Sequence, residues 1–106
     1  MASWEIWTAD VHGEHPVVIL SHAARVATKQ DIVVRQCVTL RAGRAAEAHE
    51  CILDEADGLD WPTLCKCELS YTIEKTKLTK RRGLVTPARR RQIAQRVVQG
   101  LAFAGL

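Results

Sequence analysis

Leu64-Cys65-Lys66-Cys67-Glu68-Leu69-Ser70-Tyr71-Thr72-Ile73-Glu74-Lys75-Thr76-Lys77-Leu78-Thr79-Lys80-Arg81-Arg82-Gly83 is the stretch from which the rest of the chain can be read. Its first half alternates as a strand does. Strand side chains repeat with period two, so Cys65, Cys67 and Leu69 share one face while Lys66 and Glu68 take the other. An apolar face to be buried therefore backs an accessible carboxylate and ammonium two residues apart. On a rigid sheet such a pair has the parts for acid–base work on a phosphodiester. A solvated pair on a strand face is the plainer alternative.

Upstream of this strand the pattern stays β. Trp4–Ala9 reads as an opening strand with mixed faces. In the turn region that follows, Gly13 can take positive φ and Pro16 holds His15 extended at the entrance to the strand Val17–Ser21. A polar connection through Arg25 and Lys29 leads to the β-branched run Asp31–Arg41. Parity there groups Ile32, Val34, Val38 and Leu40 with Gln36, and leaves Val33, Arg35, Cys37, Thr39 and Arg41 on a largely polar and basic face. Ala48–Leu53 reads as another short strand before a turn at Asp54–Asp60. Downstream, Thr86 as N-cap, Pro87 at the first helical position and Gly105 past the end frame a helix. Its stripe of Ile93, Ala94, Val97, Val98 and Leu101 is expected to pack on the sheet. Arg89, Arg90 and Arg91 oppose the dipole in its first turns, which suggests binding of a partner or a solvated face.

A chain of 106 residues fits one domain, 1–106, with a single core that needs neither disulfides nor metal. The longest strongly apolar run, Val17-Val18-Ile19-Leu20, is far short of a bilayer span, and no signal-peptide pattern opens the sequence. The reading is a soluble cytoplasmic protein with no membrane partner. Cys37, Cys51, Cys65 and Cys67 are expected as reduced thiols, with Cys65 and Cys67 packing as small hydrophobes. His49-x-Cys51 and Cys65-x-Cys67 could each offer two zinc ligands, but the spacing is not the usual one, and no metal or other cofactor is expected. Charge is distributed unevenly: residues 1–65 carry a net −5 and residues 66–106 a net +8. The basic half asks for an anionic partner, either nucleic acid or an acidic protein segment.

The order of several short motifs is informative. Gly58-Leu59, Lys66-Cys67-Glu68, Thr72-Ile73-Glu74, Leu78 and Gly83 follow one another as the corresponding motifs do in the MazF/PemK family of toxin–antitoxin toxins, which the chain resembles. The helix from Thr86 to Leu101 looks like that family's C-terminal helix, Pro16–Ser21 like its Pro-led strand, and Val38-Thr39 like the segment carrying its functional Thr. Three features depart from the pattern. His15 stands for the Arg before the family's Pro, Lys66 and Glu68 stand for the Arg and Asp of Kid-like members, and the first loop is shorter.

This resemblance implies a mostly β, α+β fold: a small twisted antiparallel SH3-like barrel of MazF/CcdB type with a C-terminal helix. It also implies a homodimer, an acidic antitoxin partner and metal-independent endoribonuclease activity on single-stranded RNA. Under it Glu68 is expected as base, Lys66 as electrostatic stabiliser, His15 as acid and Thr39 as phosphate hydrogen bonder, Lys66 and His15 being able to trade roles, with Arg35, Arg41, Arg89, Arg90 and Arg91 meeting RNA or a partner. The same fold also hosts a gyrase-poisoning toxin, so a non-catalytic module or a toxin acting on a protein target is the alternative.

Overall fold

The computed structural model describes residues 1–100, and Leu69 through its backbone alone. The expectations placed on Leu101, on Gly105 and on burial of Leu69 lie outside the described residues. Six strands form one antiparallel sheet: β1 (Glu5–Asp10), β2 (Glu14–Ile19), β3 (Asp31–Thr39), β4 (Glu50–Leu53), β5 (Thr63–Glu74) and β6 (Leu78–Leu84). Their spatial order is β4-β5-β3-β2-β1-β6. With the helix α2 (Pro87–Gln99) this is the expected mostly β architecture. The strand ladder is open, with β4 and β6 at its edges.

Both faces of the sheet carry a core, because the two parities of the central strands are both apolar. Ile6, Val18, Cys37, Cys51, Cys65, Cys67 and Ile93 belong to one buried cluster. Ala9, Val17, Ile19, Ile32, Val34 and Leu78 belong to the other. Adjacent residues such as Val17 and Val18 therefore face opposite ways and are both fully buried. Cys65 and Cys67 pack in the core as the alternation requires.

The hairpin β1–β2 turns through Val11, His12 and Gly13, with Asp10 paired to Glu14. Gly13 takes φ +103, as its position in the turn demands. This pairing takes His15 into β2, opposite Ala9, where the sequence reading leaves it at the strand's entrance.

Two elements go beyond the sequence reading. The polar connection contains α1 (Ala23–Thr28), capped by His22, whose ring accepts the Arg25 N–H at 3.3 Å. The basic run after Leu78 is a strand, β6, paired to β1. Gly83 on β6 lies against the loop after β4: a Cβ there would stand 2.0 Å from the Asp57 carbonyl oxygen. Only glycine fits that approach, which brings one edge of the sheet against the loop leading into β5.

α2 begins at the expected proline and ends at Gly100. Of its stripe, Ile93 is buried and Val97 packs on the first cluster, whereas Ala94 and Val98 face outward. Among the described residues no helix is long and apolar enough to cross a membrane.

Candidate functional site

β5 changes partners at the Lys66-Cys67-Glu68 triplet. Against β3, Arg35 pairs with Ser70 and Cys37 with Cys65, so Gln36 alone stands opposite the stretch Lys66–Leu69. Against β4 the ladder continues: Cys51 pairs with Cys65, Glu50 pairs with Lys66, and the Cys67 N–H donates to the His49 carbonyl at 3.0 Å. The strand thus bulges away from β3 and follows β4, and such a bulge re-aims the side chains on it.

Cross-strand pairing sets Glu50 against Lys66 on one face. The Glu50 side chain is fully buried, that of Lys66 is 18% exposed, and ammonium and carboxylate are in direct contact. Arg44 Nη2 donates to the same carboxylate at 3.0 Å, and the Glu47 N–H donates at 3.0 Å. Burial pushes the Glu50 carboxyl up, but the bonds from Lys66 and Glu47 and the charges of Lys66 and Arg44 outweigh it and hold it below the ordinary 4.5. Lys66 is therefore half-buried in an ion pair, where the sequence reading expects an accessible ammonium.

Glu68 is accessible, 36% exposed at its side chain, and has a neighbour that alternation alone does not provide. Its Oε1 lies 3.5 Å from His49 Nε2, and Glu47 Oε2 approaches the same nitrogen at 3.1 Å. His49, in the turn before β4, is 42% exposed at its side chain. The edge of the site is thus a buried ion pair, Lys66–Glu50, beside an accessible imidazole between two carboxylates. Glu47, His49 and Glu50 also offer donor atoms within 4.8 Å of one another. Lys66 and Arg44 already neutralise Glu50, so that donor set suits a metal cation poorly.

The other expected site residues are placed as follows. His15 is half-buried on β2, and the pairs Val17–Gln36 and Val38–Leu64 put it on the face of Lys66, with β3 between them. Two strand spacings, about 10 Å, separate the strands that carry them, and a two-residue offset in register adds to that distance. Thr39 is exposed and pairs with Thr63, on the side of the ladder shared by Cys37 and Cys65, so it does not converge with Glu68.

Arg35 shares a face with its partner Val18, is 8% exposed, and its Nε has no hydrogen-bond partner. The basic outer face expected of β3 is a buried one, because the first core claims it. Arg41 is exposed beyond the strand's end. Arg89 bridges Asp54, at 2.6 and 3.0 Å, and the buried Asp57. It ties α2 to the loop after β4 and is no free cation. Arg90 donates Nε to the Val85 carbonyl at 2.8 Å, while Arg91 is exposed.

The thiols take no part in this edge. Contact with Cys37 and burial push Cys65 well above the ordinary thiol value, and contact with Cys65 and burial do the same for Cys67. Neutral, buried thiols of this kind are packing groups, not nucleophiles. Missed by the sequence reading are the roles of Glu50 and Arg44, whose only signal is the long-range pairing of β4 with β5. His49 enters that reading only through a zinc alternative that is set aside, and its ring contacts carboxylates.

The sequence matches, over residues 2–101, the family described as the PemK-like, MazF-like toxin of type II toxin–antitoxin systems. The chain belongs to that family. Solved structures of similar fold include Mycobacterium tuberculosis toxin MazF-mt6, with TM-score 0.80 and 22% identity over 91% of this chain and 94% of that one. An endoribonuclease in complex with its cognate antitoxin from Mycobacterial species gives TM-score 0.84 and 22% identity over 97% and 96% of the two chains. A MazE-MazF complex from Deinococcus radiodurans gives 0.72 and 12% over 95% and 93%. No curated protein matches the sequence. For a MazF-like toxin the open, twisted sheet and C-terminal helix are the expected frame.

Proposed function

We propose that this MazF-like toxin is an endoribonuclease that cuts single-stranded RNA without a metal ion and is held in check by an acidic antitoxin. The observation that carries the reading is the accessible Glu68, set at a bulge beside Lys66 and in contact with an imidazole. Internal cleavage needs a base for the 2′-hydroxyl proton, positive charge near the phosphate and an acid for the departing 5′-oxygen. Glu68 stands on the base side, Lys66 supplies charge, and His15 across the same face is the acid. Thr39 and the exposed Arg41 and Arg91 lie outside this convergence and serve, in this reading, as outlying phosphate contacts. The family, the endoribonuclease of similar fold in complex with its cognate antitoxin and the MazE-MazF complex support the assignment. A homodimer acting in the cytoplasm completes it.

One observation favours the second reading, a non-catalytic module or a toxin acting on a protein: Lys66 is already paired to Glu50 and so has less charge to lend a phosphate. Incubation of the purified protein with single-stranded RNA in EDTA separates the two. Cleavage leaving 2′,3′-cyclic phosphate ends is expected, and Glu68→Gln and His15→Ala should each slow it about 10²-fold or more. A requirement for added metal, or no cleavage of any RNA, overturns the first reading in favour of the second.

A further inference from the structure

The imidazole that the fold brings to Glu68 is that of His49, which the proposed reaction leaves without a chemical role. Its Nε2 faces Glu47 Oε2 at 3.1 Å and Glu68 Oε1 at 3.5 Å, and the ring is 42% exposed. The position is enforced by the chain: the His49 carbonyl accepts the Cys67 N–H, the adjacent Glu50 is locked to Lys66, and Arg96 of α2 donates to the Ala48 carbonyl at 3.2 Å. A surface histidine without a task would not need both of its backbone neighbours anchored.

We propose that His49 is the base of the cleavage reaction, with Glu68 and Glu47 as its positioning residues. This rests on the endoribonuclease reading and deepens it, since Glu68 then acts through the ring and not directly. Nε2 is the ring nitrogen that faces the carboxylates, so the proton acceptor in this proposal is Nδ1. Nδ1 takes the proton as the 2′-O–H bond breaks. The 2′-oxygen forms its bond to phosphorus, the bond from phosphorus to the 5′-oxygen breaks, and His15, three strands away on β2, protonates that oxygen through intervening water. The products are a 2′,3′-cyclic phosphate and a 5′-hydroxyl. Water returns both histidines to their starting states. The charged groups around the ring are Glu47 on its own segment, the Glu50–Lys66 pair, Glu68 on β5 and Arg96 on α2.

The test is the pH dependence of single-turnover RNA cleavage in EDTA for the wild type, His49→Ala and His49→Asn. Wild-type rate should fall on the acid side as the base is protonated. Both variants should lose about 10²-fold or more in rate together with that acid limb, with RNA affinity changed less than about threefold. Added imidazole should restore part of the His49→Ala rate, which a merely structural role would not allow. Glu68→Gln, which keeps the ring, should retain the acid limb. Active wild type with an unchanged rate or acid limb in His49→Ala overturns the proposal and leaves the endoribonuclease reading standing. Wild type that cuts no RNA overturns both.

Discussion

Glu50 is the residue on which the candidate site rests. A fully buried carboxylate is tolerable only while Lys66, Arg44 and the Glu47 N–H satisfy it. Glu50→Gln should cost about 2–3 kcal/mol at neutral pH, below the usual cost of breaking a buried pair because Lys66 keeps a path to water. Urea unfolding reads this directly, and an unchanged midpoint would show that the pair contributes nothing net. The pH dependence has a defined sign. Glu50 is held below its ordinary 4.5 in the folded state, so its stabilisation is present above that value and is lost as pH falls through the lower, folded one. Asp54, lowered by Arg89, adds to the same acid-side loss. The wild type should weaken below about pH 4.5 more steeply than Glu50→Gln. Little of this was legible in the sequence. Alternation correctly places Cys65 and Cys67 inside and Glu68 outside, but it is a local signal. That Lys66 meets Glu50, and His49 meets Glu68, depends on a pairing between strands set by the whole fold.

Among the elements, β2, β3, β5 and α2 announce themselves through β-branched runs and helix boundary residues. α1 does not, because six residues with Val26 as the one buried side chain carry no measurable period. β6 is hidden for a different reason: Lys80-Arg81-Arg82 reads as a charge run, while pairing of its backbone to β1 needs no apolar side chains. The bulge in β5 is equally silent, since every residue from Lys66 to Leu69 keeps strand character and only the partner strand reveals the surplus. The contact of β6 with the loop after β4 can be tested at Gly83. Gly83→Ala would drive a methyl into the Asp57 carbonyl, which is held by Arg89 and by the Thr86 N–H on the Asp57 carboxylate. A loss of about 2–3 kcal/mol, the upper range for overpacking, is expected in chemical denaturation. If Gly83→Ala melts with the wild type, that approach is looser than described.

At the scale of the molecule, the sheet buries both faces and ends at the edge strands β4 and β6, and Val98 on α2 is 57% exposed. Pairing of two copies would cover such surface, and the homodimer proposed above should appear in sedimentation equilibrium at micromolar concentration. A monomer at high micromolar concentration overturns it. The strand order has a further consequence for how the protein comes into being. β1 lies between β2, its neighbour in sequence, and β6, which is made more than sixty residues later. A ribosome extruding this chain therefore releases β1 with one side vacant, and the loop that Gly83 must meet has nothing to close upon until β6 has emerged. The sheet cannot be assembled piecemeal, strand after strand, and its architecture is completed only once β6 has been made.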